Sequence, residues 1–170
     1  MNTMRDNKLY TPVGVKDMLF EECDYKRYIS HQIGEIFRCF GYEQVETPTF
    51  EYIEVFSDEK LGSTKPKEMY RFFDRDGSTL ALRTDMTPPI ARMAATSFSE
   101  KKGEPMRFYY FGNTFRYNEQ YQGKLREFSQ AGIELIGIDS VDADGEVLAV
   151  AVNSLLAAGL SDFQMIVGDV

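Results

Sequence analysis

The segments MRFYYFGNTFRY (106–117) and EFSQAGIELIGI (127–138) decide the fold, because both are long runs rich in aromatic and β-branched residues. The stretch between them is polar and contains Gly123, as expected of a loop that joins two strands. We therefore predict that 106–117 and 127–138 form a long β-hairpin.

The flanking sequence predicts further elements around this hairpin. A second hairpin is predicted from 70–74 and 79–82, because an Asp-Gly turn joins them. Apolar residues at helical spacing predict helices at about 22–40, 87–98 and 144–158, the second capped by Asp85 or Thr87. Short strands are predicted at 43–46 and 163–167, and a mobile loop at 57–69. This order predicts an α+β fold with a mainly antiparallel sheet.

Composition excludes several classes of protein. The 170 residues suit one domain with a full core, and 19 Lys and Arg against 27 Asp and Glu give a net charge of −8. No apolar run is long enough to cross a membrane, and the start does not resemble a signal peptide. The acidic balance disfavours a nucleic-acid surface. We expect no metal site and no disulfide from Cys23 and Cys39, and no catalytic role for His31, which we place on the solvent face of a helix.

The second strand of the long hairpin carries a polar face. Because side chains alternate along a strand, Gln130, Gly132 and Glu134 share one face. Gly132 leaves out the side chain that would separate the two polar groups. On the partner strand, Gly112 shares a face with Arg116 in the same way. The pattern predicts a shallow polar notch on the sheet.

Two interpretations of this notch are open. In the first, Gln130 and Glu134 form a solvated face and Arg116 makes a surface ion pair, which would contribute about 0–1 kcal/mol. In the second, they hold a small cationic or amide-bearing ligand while Arg116 meets an anion. Asp85 and Thr87 would then add a carboxylate and a hydroxyl group. Composition alone favours the first interpretation.

The chain resembles the catalytic core of histidyl-tRNA synthetase and of its paralogue, the regulatory subunit of ATP phosphoribosyltransferase. The resemblance lies in four ordered segments: TPVGVKDML (11–19), YEQVETPTFE (42–51), LALRTDMTPPIAR (80–92) and FRYNEQYQGKLREFSQAGIELIG (115–137). It implies a class II aminoacyl-tRNA synthetase-like antiparallel sheet flanked by helices. Residues 1–170 would form one core domain, truncated at its C-terminal side.

The resemblance also implies roles for individual residues. It implies a pocket for free histidine formed by Asp85, Thr87, Gln130 and Glu134. Arg116 matches the arginine of the second class II motif that contacts the α-phosphate of ATP, and Arg126 is a further anion contact. Pro48 matches the proline of the first class II motif, at the interface of a homodimer. No metal or cofactor is implied.

Three departures from the synthetase pattern favour the regulatory-subunit branch. Thr84-Asp85-Met86 stands where the synthetase usually has Pro-Glu-Gly, Asn118 where it has Glu, and Ser129 where it has His. This branch implies a cytoplasmic, non-catalytic protein of histidine biosynthesis. It would join the short-form catalytic subunit of ATP phosphoribosyltransferase in a hetero-oligomer, and free histidine would be the effector.

Two alternatives remain open at this point. A histidine–tRNA ligase would share Arg116 and the pocket residues, and its later motifs would lie beyond Val170. An unrelated α+β binding domain would carry the notch only as a surface feature. Neither a P-loop nor a dinucleotide-binding glycine motif is present in the sequence, which disfavours nucleotide enzymes of those two classes.

Overall fold

The computed structural model describes residues 7–57, 64–101, 103–117 and 123–168. These residues form helices and two small sheets, an α+β arrangement. The helices are α1 (Glu21–Cys39), α2 (Thr87–Ser97) and α3 (Val141–Ala157). The strands are β1 (Glu43–Gln44), β2 (Phe50–Tyr52), β3 (Arg71–Phe73), β4 (Thr79–Leu82), β5 (Met106–Phe115) and β6 (Glu127–Ile136).

The chain divides into two compact units. The first comprises Met1–Leu19, Val45–Lys102 and Tyr110–Gly132, and the second comprises Phe20–Gln44, Gly103–Tyr109 and Ile133–Val170. In the first unit, Phe56, Met69 and Ala81 form a buried cluster. In the second unit, the rings of Phe37 and Tyr109 pack with their centroids 5.4 Å apart. Each unit therefore has buried apolar residues of its own.

One sheet has the strand order β1-β5-β6 and contains the predicted long hairpin. Arg116 N donates to Arg126 O over 2.9 Å, and Thr114 Oγ1 donates to Phe128 O over 3.4 Å. Because the residue number falls on one strand as it rises on the other, β5 and β6 are antiparallel. The hairpin is confirmed. The expectation of mainly antiparallel pairing is confirmed; the exception in this sheet is β1, which runs parallel to β5.

The other sheet has the strand order β2-β4-β3 and is antiparallel throughout. The predicted hairpin of β3 and β4 is confirmed, with Asp74 N donating to Ser78 O over 2.9 Å. Gly77 closes its turn with φ +89°, a conformation that side chains disfavour. The strand β2 was not predicted, because three residues after a proline are too short to show alternation.

The three helices follow the predicted apolar patterns. α1 ends before Gly41, which has φ +83°, as expected of a helix C-terminus. The N-cap of α2 is Met86 and has no side-chain cap bond, so the predicted cap at Asp85 or Thr87 was wrong. Asp85, one residue earlier, accepts instead from Met86 N and Thr87 N. α3 begins at Val141 rather than at 144. The reason is Ser140, whose Oγ accepts from Ala143 N over 3.2 Å and so caps the helix earlier.

One expectation from the apolar pattern was wrong, and one from the polar pattern is only partly open to comparison. Residues 163–167 form no strand, because the apolar run finds no partner strand among the described residues. The predicted loop 57–69 lies partly outside the described residues, at 58–63. Its described end is ordered into a short turn at Pro66–Glu68, and Met69 is buried in the core. The side chain of His31 is exposed, as predicted.

Within the described part of the chain, every helix is too short or too polar to cross a membrane.

Candidate functional site

The carboxylate of Asp85 lies at the N-terminus of α2 and is shared between the helix and an arginine. Its Oδ1 accepts from Met86 N over 2.7 Å and from Thr87 N over 3.3 Å. Its Oδ2 lies 3.0 Å from Arg116 Nη2. Both charged side chains are half-buried, each with 36% of its area exposed. The helix start therefore fixes one carboxylate oxygen and leaves the other facing a cation.

Arg116 has a second acceptor and an aromatic neighbour. Its Nε donates to Thr84 O over 2.8 Å, and its guanidinium carbon lies 5.9 Å from the ring centre of Phe128. The ion pair expected under the first interpretation is therefore present. It is more constrained than a free surface pair, because one guanidinium bridges a carboxylate and a main-chain carbonyl of adjacent residues.

Arg126 lies beside Arg116 at the loop end of the hairpin. Its guanidinium carbon is 4.4 Å from the ring centre of Tyr117, within the range of a cation–π contact. Its main-chain N donates to Gly14 O over 2.6 Å. A Cβ on Gly14 would lie 2.6 Å from Arg126 Cγ, so only glycine fits against this side chain. The structure thus brings both predicted anion contacts to one end of the hairpin.

Gln130 carries a buried acceptor that lacks a donor. Its Oε1 is inaccessible to solvent, and no hydrogen-bond donor among the described residues reaches it. Burying an amide oxygen without a hydrogen bond costs roughly 1–3 kcal/mol. A ligand donor would reach this acceptor only if the side chains that cover it moved, as they would on binding.

The predicted notch at Gly132 is not empty, so this expectation was wrong. A Cβ built on Gly132 would collide with the phenol of Tyr110, whose Cζ would be only 2.5 Å away. Tyr110 is buried, with 6% of its area exposed. The glycine makes room for an aromatic ring from the partner strand rather than for an open cavity. The ring lies on the face of β6 that carries Gln130.

The other two predicted pocket residues belong to α2 and β6. Thr87 is the first residue of α2 and is half-buried. Glu134 follows Gln130 by four residues in β6, is half-buried, and already has an interaction partner. The structure places Asp85, Thr87 and Gln130 in the first compact unit and Glu134 in the second.

The second predicted glycine, Gly112, also borders filled space. A Cβ there would lie 2.9 Å from Arg83 Nη2 and 3.0 Å from Met86 Cε. Arg83 was not singled out from the sequence. It is 7% exposed, and burial lowers the pKa of its guanidinium. Its only sequence signal is a charged residue at the end of the apolar run LAL.

The departures that distinguish the two branches are only partly visible in the structure. Asn118 lies outside the described residues. Ser129 is exposed and donates to Asn113 Oδ1 over 2.8 Å. Pro48 is exposed. In the described ranges, no three His, Cys, Asp or Glu side chains lie close enough together to hold a metal ion.

The amino-acid sequence is similar to those of known proteins over nearly its whole length. A family model described as histidyl-tRNA synthetase matches residues 14–170. The chain is 46% identical over 168 residues to an ATP phosphoribosyltransferase regulatory subunit of Acetivibrio thermocellus. It is 44% identical over 156 residues to a histidine–tRNA ligase of Thermococcus kodakarensis. These matches cover 98% and 92% of this chain but only 40% and 35% of the two relatives.

Solved structures show the same similarity in three dimensions. An ATP phosphoribosyltransferase regulatory subunit/histidyl-tRNA synthetase from Bacillus halodurans C matches with a TM-score of 0.80 and 39% identity, over 90% of this chain and 39% of that one. The apo histidyl-tRNA synthetase of S. aureus matches with a TM-score of 0.75 and 30% identity, over 89% of this chain and 35% of that one. The predicted class II synthetase-like fold is therefore confirmed.

Proposed function

The chain belongs to the histidyl-tRNA synthetase family, and from this membership we propose that it is part of a regulatory subunit of ATP phosphoribosyltransferase. The subunit would support the first step of histidine biosynthesis and its feedback inhibition by histidine, without a catalytic activity of its own. Because the chain spans about 40% of the length of its relatives, the proposal concerns the longer protein.

The observation that carries the proposal is the unpaired acceptor of Gln130. Free histidine offers an α-ammonium group and an imidazole N–H, which are both donors. Either of them would satisfy the buried Oε1. A carboxylate fixed at the start of α2 lies in the same compact unit, at Asp85, and suits an ammonium group. A small zwitterionic ligand thus matches the polar groups of this unit.

We assign the pocket residues the following roles. Asp85 and the hydroxyl of Thr87 hold the α-ammonium group, and Gln130 accepts a hydrogen bond from it. Glu134, which the resemblance adds to this set, accepts from the imidazole N–H. The alternation of β6 supports the assignment of Gln130 and Glu134, because it puts both side chains on one face of the strand.

The state of Arg116 supports regulation over aminoacylation. Its guanidinium is engaged by Asp85 and by Thr84 O, so an ATP phosphate would have to replace partners that it already has. The alternative function is histidine–tRNA ligation. The Thermococcus kodakarensis relative and the placement of Arg116 and Arg126 together at the hairpin end favour it.

The proposal extends to partners and location. The subunit would join the short-form catalytic subunit of ATP phosphoribosyltransferase in the cytoplasm, and two copies would associate near Pro48. Support for self-association comes from exposed aromatic side chains close to that residue. Phe50 and Phe72 pack edge to face at 5.8 Å on β2 and β3, yet 51% and 39% of their areas remain exposed.

The test uses calorimetric titration of the full-length protein. We expect histidine to bind, and magnesium ATP to show no binding in the same concentration range. Gln130→Met, which keeps the side-chain volume, is expected to weaken histidine at least tenfold and to leave the free energy of unfolding unchanged or higher. Ser129→Ala, on the exposed face of the same strand, is the matched control. Histidine-dependent exchange of pyrophosphate into ATP would instead establish the ligase.

A further inference from the structure

We propose that Arg83 is a positioning residue that links the Pro48 segment (residues 47–49) to the ion pair of Asp85 and Arg116. The inference deepens the proposed function, on which it rests for the consequence that the Pro48 segment influences ligand affinity. The link itself is a property of the first compact unit, to which all these residues belong.

The side chain of Arg83 ties together two separate stretches of main chain. Its Nη1 donates to Thr47 O over 2.8 Å and to Pro48 O over 3.4 Å. Its Nε donates to Asn113 O, in β5, over 2.6 Å. One planar guanidinium therefore spans the Pro48 segment and the end of the long hairpin.

The main chain of Arg83 connects the same two stretches. Its N–H donates to Thr49 O over 2.9 Å, and its carbonyl accepts from Phe115 N over 2.9 Å. The residues that follow Arg83 and Phe115 in the sequence are also bonded to each other. Arg116, which follows Phe115, donates to Thr84 O and pairs with Asp85. A shift of the Pro48 segment is thus passed through consecutive bonded residues to the ion pair.

The identity of the side chain also fits a positioning role. The hydrogen bonds of Arg83 go to neutral carbonyl oxygens, although burial disfavours its charge. A lysine ammonium group lacks the fork that reaches carbonyls on two sides. Gly112 leaves the space that Nη2 occupies, because a Cβ there would lie 2.9 Å from it. The fold therefore makes room for this guanidinium at a buried position.

The experiment measures the NMR resonance of the Arg116 Nε–Hε group, which reports the bond to Thr84 O without any ligand. Pro48→Ala frees the fixed backbone angle of the segment. We expect this substitution to shift the Arg116 resonance when Arg83 is present and to leave it in place in the Arg83→Lys background. Equal shifts in both backgrounds would overturn the proposal. Arg92→Lys, which alters another arginine of the same unit, is the control background.

A second variant covers the case in which Arg83→Lys does not fold. Gly112→Ala keeps Arg83, but the new Cβ would press against Arg83 Nη2. The same Cβ would contact Met86 only at the flexible end of the methionine side chain. We expect it to shift the Arg116 resonance, and an unchanged resonance would overturn the proposal.

Histidine titration then adds the functional consequence. With Arg83 present, Pro48→Ala is expected to weaken the affinity for histidine about threefold or more. In the Arg83→Lys background the loss should be less than twofold, because Arg83 would carry the coupling between the Pro48 segment and the ligand. Failure of the unaltered protein to bind histidine would overturn the proposed function. The resonance would still decide whether Arg83 positions the ion pair.

Discussion

Asp85 Oδ2 and Arg116 Nη2 lie 3.0 Å apart, while the other oxygen of the same carboxylate accepts from Met86 N and Thr87 N at the start of α2. The carboxylate thus makes an ion pair and also accepts main-chain hydrogen bonds, and different substitutions remove one or both of these interactions. An amide keeps an oxygen that can accept these two main-chain hydrogen bonds but lacks the charge, whereas alanine loses both.

We therefore expect Asp85→Asn to lower the free energy of unfolding by no more than about 1 kcal/mol, because a half-exposed ion pair contributes little. Asp85→Ala should cost about 1 kcal/mol more, from loss of the hydrogen bonds to Met86 N and Thr87 N. Both substitutions should weaken the affinity for histidine at least tenfold. Urea denaturation and calorimetry measure the two quantities. Equal stability of the Asn and Ala variants would contradict a stabilising contribution from these two hydrogen bonds.

The contact of Tyr110 with Gly132 predicts a steric effect. Gly132→Ala should destabilise the protein by about 1–3 kcal/mol, because its Cβ has no space beside the phenol ring. Tyr110→Leu should relieve the clash, so that the double variant loses less stability than the sum of the two single variants. Additive effects in urea denaturation would show that the ring does not occupy this space.

Gly145→Ala is the matched control for this prediction. Gly145 lies inside α3, and a Cβ there would meet no atom within 4 Å. The substitution should stabilise the protein by about 0.5–1 kcal/mol, because alanine favours a helix interior over glycine.

A charged network in the second unit predicts a dependence on pH. Arg107 donates to both carboxylate oxygens of Glu146, over 2.8 and 2.7 Å, and the buried Tyr42 donates to Oε1 over 2.9 Å. The hydrogen bonds from Arg107, opposed by partial burial and assisted by Tyr42, hold the pKa of Glu146 below its usual value. Burial, and then the bond to Glu146, raise the pKa of Tyr42, which therefore stays a donor at neutral pH.

A folded-state pKa below the unfolded value means that Glu146 stabilises the fold above the unfolded pKa of about 4.3. This stability is lost as the pH falls through the folded pKa. Glu146→Gln should therefore cost about 1 kcal/mol at pH 7, and the difference from the unaltered protein should shrink below about pH 4. Urea denaturation across pH 3–7 tests this, with the exposed Glu100→Gln as control. A constant difference would contradict the assigned pKa direction.

The exposed aromatic pair predicts an effect on self-association. If two copies meet near Pro48, Phe50→Glu should weaken the dimer at least tenfold, because a charge would enter an apolar interface. Phe73→Glu is the control, since Phe73 is 78% exposed and points to the opposite face of β3 from Phe72. Sedimentation velocity measures both, and equal behaviour of the two variants would place the interface elsewhere.

The sequence was most informative where a pattern repeats within one element. Local periodicity predicted two strands at 106–117 and 127–138 and a helix at 22–40. The structure confirms these three elements. Residues 163–167 are equally apolar, but a strand also needs a partner, which local sequence does not specify. The early start of α3 depends on a single serine at its cap.

The site shows the same limit. Alternation correctly puts Gln130 and Gly132 on one face, but it does not reveal that Tyr110 from the other strand covers the glycine. The resemblance singled out Asp85 and Arg116, and the structure pairs them. The sequence did not single out Arg83, because its partners are main-chain carbonyls, which every residue type has.

The bond between Gly14 and Arg126 has a consequence for folding during synthesis. It joins residues 126 − 14 = 112 positions apart, and the glycine admits the arginine stem only once the hairpin end exists. At roughly 5–20 residues per second, a ribosome needs about 6–22 s to pass from one to the other. The N-terminal lead-in therefore cannot dock against the hairpin until residue 126 has been synthesised.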